Sequence, residues 1–262
     1  MKLTLYQIDA FAEKVFSGNP AAVCVLDSWL EDKTMQQIAQ ENNLAETAFL
    51  VKTDDRYEIR WFTPEIEVDL CGHATLASAF VLFRFFEQNI SQLEFFSPRS
   101  GILKVEKGDD GYLTLDFPAD ETSFIDEIEA ITKAIGVTPL KTIKGKTDYL
   151  LIYNSQKEIE QISPNFHLLD QLDCRGVIVS APGDKVDFVS RFFAPQCGIP
   201  EDPVTGSAHT TLTPYWAKVL GKNKMTAKQL SPRGGNLNCE YLGERVKIGG
   251  KAVLYMIGEI EF

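Results

Sequence analysis

Between Arg60 and Phe86 the pattern of polar and apolar positions changes character within a few residues. The segment RWFTPEIEVDLCGHATLASAFVLFRFF starts as a strand and turns through Cys71-Gly72-His73. Beyond the turn only His73, Thr75, Ser78 and Arg84 interrupt a run of apolar and small residues. A surface helix shows a polar stripe; this pattern predicts a helix covered on most sides. Its first turn would offer backbone N–H groups, under the positive end of the helix dipole, to any cavity it faces. The turn carrying Cys71 and His73 is therefore a candidate active-site floor.

Elsewhere the periodicity is mostly that of strands: Leu3–Asp9, Ala21–Leu26, Leu44–Val51, Tyr57–Phe62, Leu93–Phe96, Ile102–Glu106 and Tyr112–Phe117 in the first half, then Tyr149–Tyr153, Gly176–Ser180 and Asp187–Phe193. Phe16-Ser-Gly-Asn-Pro20 carries turn chemistry. Ser28 and Glu31 read as a capping box opening a helix that runs out near Asn42-Asn43. An amphipathic helix is expected over Ile125–Ile135, ended by Gly136, and a second central helix over Gly206–Leu220, kinked by Pro214. A crossover near Phe117 divides the chain into residues 1–117, joined by a last strand at about 250–262, and residues 118–249.

The central stretch has an echo. Arg60-Trp-Phe-Thr-Pro64 is matched by Arg191-Phe-Phe-Ala-Pro195, and Gly72-His73-Ala74 by Gly206-Ser207-Ala208. The first offset is 131 positions and the second 134, so a three-residue insertion in the loop reconciles them. Each half would run strand, proline loop, glycine turn and helix, which implies two similar lobes. The period is far too long for a solenoid.

Composition narrows the options. The 262 residues are 44% hydrophobic, with a net charge of -11. An acidic chain lacks the basic face that nucleic-acid backbone requires, although helix N-termini can still hold a small anion. The N-terminus reaches Gln7 and Asp9 too soon for a signal peptide. The uncharged run Leu70–Phe83 is shorter than the roughly 20 residues of a spanning helix. No membrane partner and a cytoplasmic location are thus expected. Five scattered cysteines without a Cys-x-x-Cys pair favour free thiols over a disulfide framework or a zinc site.

The candidate chemistry gathers in a few places. Glu46 opens an apolar strand; its plain reading is a solvated strand end, its functional one a partly buried proton shuttle. His73 is either a capping histidine or a ring kept neutral by the helix N-terminus and able to pass protons. His209 is displaced relative to the repeat, and His167 reads as a surface residue. No two histidines stand at a metal-ligand spacing, so no metal is expected. In Glu201-Asp-Pro-Val-Thr-Gly-Ser207, Asp202 and Ser207 suit helix capping and catalysis alike. Ser207 lacks a nucleophile elbow. Cys71 and Thr205 occupy equivalent positions, so symmetric two-thiol racemase chemistry is disfavoured. Nucleotide-binding glycine loops are absent.

Together Ser17-Gly-Asn-Pro-Ala-Ala22, Asn43-Leu-Ala-Glu-Thr-Ala-Phe49, Arg60-Trp-Phe-Thr-Pro64, Asp69-Leu-Cys-Gly-His-Ala-Thr75 and Glu201-Asp-Pro-Val-Thr-Gly-Ser-Ala208 resemble the phenazine-biosynthesis PhzF-like family, in order and across nearly the whole chain. The resemblance implies an α+β, diaminopimelate-epimerase-like fold: two pseudo-symmetric lobes, each a curled, mostly antiparallel sheet around a central helix, with the site between them. It implies a homodimer and a cofactor-independent isomerase. The model reaction is that of trans-2,3-dihydro-3-hydroxyanthranilate, in which a glutamate moves a proton between ring carbons. By motif that glutamate is Glu46, with partners His73, Asp202 and Ser207. Gly72, Ala74 and Gly206 would bind the carboxylate of a small cyclic substrate. The alternatives are a racemase, epimerase or dehydratase of the same fold using Cys71, and a non-catalytic binding protein on this scaffold.

Overall fold

A computed structural model describes all residues, 1–262. The chain forms two compact units, Met1–Asp116 with Gly249–Phe262, and Phe117–Ile248.

In the first unit β1 (Lys2–Ala10) and β2 (Asn19–Leu26) pair antiparallel, and α1 (Asp32–Asn42) carries the chain to β3 (Glu46–Lys52), which lies parallel to β2. Parallel neighbours need a crossover connection, which α1 supplies here. β4 (Tyr57–Phe62) returns antiparallel to β3, and the two-residue β5 (Glu67–Val68) folds back on it. The chain then enters α2 (Gly72–Val81), continued by a π-helical turn at Leu82–Phe86, and emerges into β6 (Gln92–Ser97), parallel to β4. β7 (Gly101–Lys107) and β8 (Leu113–Pro118) extend the sheet antiparallel.

The second unit begins with β9 (Ser123–Ile125), α3 (Glu129–Ile135) and β10 (Lys141–Lys144), and β9 and β10 pair antiparallel. From β10 the first unit's plan is repeated. β11 (Asp148–Ile152) is antiparallel to β10; α4 (Gln156–Gln161) and α5 (Phe166–Leu169) cross to β12 (Gly176–Pro182), parallel to β11. β13 (Phe188–Phe193) returns antiparallel to β12. α6 (Ala208–Leu220) then leads to β14 (Lys224–Gln229), parallel to β13, and to β15 (Gly235–Tyr241), antiparallel to β14. After β16 (Arg245–Gly250) the chain rejoins the first unit as β17 (Ala252–Glu261), which pairs antiparallel with β1.

The repeat extends to register. Phe49 faces Arg60 across β3 and β4, and Val179 faces Arg191 across β12 and β13. One alignment therefore equates Arg60 with Arg191 and, three places before Phe49 and Val179, Glu46 with Gly176.

α2 meets the expectation of a covered helix. Within it only Gly72 and Phe80 escape full burial, and it packs against β1, β2 and β3. Ser78 and Thr75 avoid an unpaired hydroxyl by bonding back to the carbonyls of Ala74 (2.7 Å) and Cys71 (2.6 Å). No helix is long and apolar enough to cross a membrane.

Three local expectations give way. α1 starts at Asp32, with Glu31 and not Ser28 at its N-cap and no side-chain cap bond; nearby, Trp29 Nε1 donates to Glu58 at 2.9 Å. The residues Ser123–Ile125 are taken by pairing with Lys144–Thr142, so α3 begins only at Glu129. α6 starts at Ala208, two residues later than expected, and contains Pro214 as expected. The carbonyl that Pro214 cannot bond, that of Thr210, accepts from the Asp120 N–H at 3.2 Å.

Candidate active site

In the first unit four side chains converge. β3 opens on Glu46, paired in register with Ala21 of β2, and β2 opens on Asn19. The chain reaches Asn19 through Gly18, whose φ of +68° puts it in the left-handed region. A Cβ there would stand 2.1 Å from the Ala10 carbonyl oxygen. Glycine is what lets the loop close against β1 and aim Asn19 inward. Opposite, Cys71 and His73 flank Gly72 at the start of α2. Cys71 is extended (φ -137°) and its side chain does not cap the helix, so its thiol is free to lie beside the ring.

All four are buried: Asn19 0%, His73 5%, Cys71 6% and Glu46 8% exposed. His73 Nε2 stands 2.9 Å from Glu46 Oε2. That approach is close but off the axis of a good hydrogen bond, and Oε2 has no well-aligned partner. Asn19 Nδ2 lies 3.1 Å from His73 Nδ1, and Cys71 Sγ 3.5 Å from the same nitrogen and 3.9 Å from Nε2. With the amide nitrogen placed there, Nδ1 accepts and the ring proton sits on Nε2, facing Glu46. Turned over, the amide would present its oxygen to an imidazolium. Asn19 can thus serve either protonation state.

Burial works against a charged His73, but Cys71 and Glu46 outweigh it and raise the ring's pKa well above its ordinary value. The helix N-terminus was expected to lower it; Cys71 and Glu46 together override that effect. Burial, reinforced by the Glu46 charge, pushes the Cys71 thiol up to about 11. Near neutral pH the thiol is therefore uncharged. Glu46, Cys71 and His73 each place one ligand atom within 4.8 Å of the other two. Histidine spacing along the chain did not suggest such a set, because Glu46 arrives from another strand.

The second unit builds a different turn at the equivalent place. Asp202 is buried, and its Oδ2 accepts a short bond from the Thr205 hydroxyl. Gln229 braces both: its Oε1 accepts from the Thr205 N–H at 2.9 Å and its Nε2 donates to the Asp202 carbonyl at 2.8 Å. Gly206 and Ser207 form the turn before α6. Ser207 Oγ accepts from Arg175 Nη1 at 3.0 Å, and Arg175 in turn forks onto the buried Asp148 carboxylate, with Nε to Oδ1 at 2.8 Å. Because Arg175 can only donate, the Ser207 proton is left to point elsewhere, towards an acceptor. His209 lies wholly buried behind the turn, its Nδ1 2.8 Å from the Thr205 carbonyl, and burial lowers its pKa to about 4. His167 is exposed beside Gln171.

Two frames hold these turns in the same way. Arg60 forks onto Glu67, with Nε–Oε1 at 2.7 Å and Nη2–Oε2 at 2.8 Å. Arg191 forks onto Glu201, with Nε–Oε1 at 2.7 Å and Nη2–Oε2 at 2.9 Å. The arginines are 131 positions apart and the glutamates 134, the same two offsets as the sequence echo. In each unit a planar bidentate pair ties the strand to the loop that delivers the glycine turn. The chemistry is not duplicated. Where the first unit has Glu46, the second has Gly176, and a Cβ on Gly176 would meet the Phe192 ring at 2.4 Å.

Sequence reasoning singled out Glu46, His73 and Cys71, which come together, and Asp202, Thr205, Gly206 and Ser207, which form one turn. It passed over Asn19, although Ser17-Gly-Asn-Pro was a marked motif, and Arg175 and Asp148, which carry no local pattern.

A family model described as phenazine biosynthesis-like protein matches residues 8–258. An uncharacterised isomerase of Pseudomonas aeruginosa is 50% identical over 260 residues, covering 99% of each chain. Among solved structures, a PhzF-family phenazine biosynthesis protein of Enterococcus faecalis superposes with a TM-score of 0.97 at 49% identity, covering 100% of both chains. A hydroxyproline epimerase of Agrobacterium vitis, at 9% identity, covers 99% of this chain and 91% of its own with a TM-score of 0.64, which is a likeness of fold.

Proposed function

The chain belongs to the phenazine biosynthesis-like (PhzC-PhzF) family, and on that premise we propose that it is an isomerase that moves a carbon-bound proton without a cofactor. The observation that carries this reading is Glu46 Oε2: buried, lacking an aligned hydrogen bond, and 2.9 Å from a histidine. A carboxylate in that state is poised to accept a proton from carbon and return it to a second carbon of the same molecule. His73 balances the charge as Glu46 gains and loses its proton, and Asn19 holds the ring through both states. The first-turn N–H groups of α2, from Gly72 to Ala74, suit a substrate carboxylate. In the second unit, the turn of Asp202, Gly206 and Ser207 carries a Ser207 hydroxyl whose proton Arg175 leaves free for an acceptor. The substrate class is a small cyclic carboxylic acid resembling trans-2,3-dihydro-3-hydroxyanthranilate. Cys71, an uncharged thiol at neutral pH, is a poor base.

The test is deuterium uptake at carbon in D2O over a panel of such acids, read by mass spectrometry. Glu46→Gln should slow uptake by about 10²–10⁴-fold. Loss of uptake in Cys71→Ser with retention in Glu46→Gln overturns the reading in favour of thiol chemistry. No uptake by any acid with the wild-type protein favours a binding role.

A further inference from the structure

The loop that joins Ala10 of β1 to Asn19 of β2 holds two residues with side chains in the left-handed region, Phe11 at φ +57° and Phe16 at φ +69°. Such a conformation is disfavoured for any residue with a Cβ and persists only where the surroundings impose it. At Phe11 packing imposes it. The ring is buried and lies on the bare face of Gly250, where a Cβ would stand 2.3 Å from Phe11 Cδ1. At Phe16 packing does not. Its side chain is 71% exposed, and its ring meets Tyr255, itself half exposed, at 5.7 Å. What holds Phe16 is a buried group: its N–H donates to Asp9 Oδ2 at 2.9 Å, and Asp9 is 2% exposed. A carboxylate costs free energy to bury, so its acceptor capacity goes into fixing the backbone it meets. The place matters because Ala10 and Asn19 form the last pair of the β1–β2 ladder. Ladder ends fray unless the chain beyond them is held. Here the held residue is Phe16, just ahead of Asn19.

We propose that Asp9 is a positioning residue for His73: by fixing Phe16 in its left-handed turn, it sets the entry of β2 so that the Asn19 amide reaches Nδ1, 3.1 Å away. Asp9 acts through the backbone and Asn19. The placement stands on these contacts, and its effect on turnover rests on the isomerase reading. A carboxylate that only closed the loop would cost stability when removed and leave the surroundings of the ring as they are. A positioning group, once removed, lets Asn19 swing, and His73 loses the partner that holds it through both protonation states. The second unit supports the distinction. Its matching strands, β10 and β11, are joined by residues 145–147 alone, which leaves no room for such a loop. The longer connection is found in the unit that holds Glu46 and His73.

The test is a double-mutant cycle between Asp9 and Asn19, read twice. In the substrate-free protein, Asp9→Ala should move the imidazole nitrogen shifts of His73 in the same direction as Asn19→Ala. Asp9→Asn, which keeps an acceptor oxygen, should move them less. Gly101→Ala, which strains the same unit elsewhere, should leave them in place. In deuterium uptake, Asp9→Ala should lower kcat and kcat/KM together by up to about 100-fold, the cost of misplacing a group by about 1 Å. The double variant should be no slower than Asn19→Ala, since both changes undo one contact. Asp9→Asn takes the place of Asp9→Ala in the cycle if circular dichroism shows the alanine variant unfolded. Unmoved His73 shifts in a folded Asp9 variant, or a double variant whose loss is the product of the two single losses, overturns the proposal. No uptake by the wild-type chain overturns the isomerase reading instead, and the imidazole shifts then decide on Asp9.

Discussion

The loop that aims Asn19 at His73 offers a test whose size follows from geometry. Gly18 and Gly101 both lie in the first unit in the left-handed region, at φ +68° and +72°. An alanine at either position carries the same backbone penalty, about 1–2 kcal/mol. The surroundings differ. At Gly101 the new methyl meets nothing within 4 Å; at Gly18 it falls 2.1 Å from the Ala10 oxygen and 2.8 Å from the Ala12 Cβ. Backbone does not yield as a long side chain would, so overpacking adds about 1–3 kcal/mol. Gly18→Ala should therefore destabilise by about 2–5 kcal/mol and Gly101→Ala by about 1–2 kcal/mol. The measurement is urea unfolding followed by tryptophan fluorescence in a Trp216→Phe background, where the remaining Trp29 and Trp61 report the first unit. The midpoint should move with little change in slope. The imidazole nitrogen shifts of His73 should move in Gly18→Ala alone, because Asn19 is displaced. Equal costs for the two variants, to within about 0.5 kcal/mol, would refute the steric argument.

Other outcomes follow from single contacts. His209, with a native pKa of about 4 against an ordinary 6.5, binds fewer protons folded than unfolded between those values. Stability should therefore rise with pH across that window, by up to about 3 kcal/mol from this residue, and His209→Gln should flatten the slope of stability against pH. Trp216 donates to Ser180 Oγ at 2.9 Å and stacks on Phe188. Trp216→Phe should cost about 1–3 kcal/mol, read from the denaturation midpoint. Arg60→Lys cannot make the fork onto Glu67 and should destabilise by about 1–2 kcal/mol in thermal unfolding. The homodimer expected from the family resemblance can be sought on β17, which exposes Tyr255, Met256 and Ile257 at a bulge against Gln7 and Ile8. Light scattering should report a dimer, and Ile257→Lys a shift towards monomer.

The sequence carried the plan well wherever one pattern decided the local structure. The covered helix, the strand opened by Glu46 and the duplicated turns all follow from periodicity, because burial on most sides leaves an apolar run that no surface helix would show. It failed where a distant partner decided. The first turn of α3 is lost to a strand that pairs with Lys141–Lys144. The candidate site shows the same division. Glu46 and His73 each stand out locally, yet their 2.9 Å approach depends on the register of β3 against β2 and on where α2 lies across both. Arg175 sits in a loop without periodicity, and only the buried Asp148 gives it a place.

The exchange of Glu46 for Gly176 between the units has a consequence for how such a chain can change. A duplicated ancestor with acids on both sides could lose one in a single step. The return is harder. Phe192 fills the space beside Gly176, and any side chain there collides with its ring. Restoring a carboxylate would require a smaller residue at 192 first, a step that opens a cavity in the sheet and costs stability while offering no function. The asymmetry of the two halves acts as a ratchet. Selection can vary the substrate around Glu46 far more easily than it can rebuild a second base at Gly176.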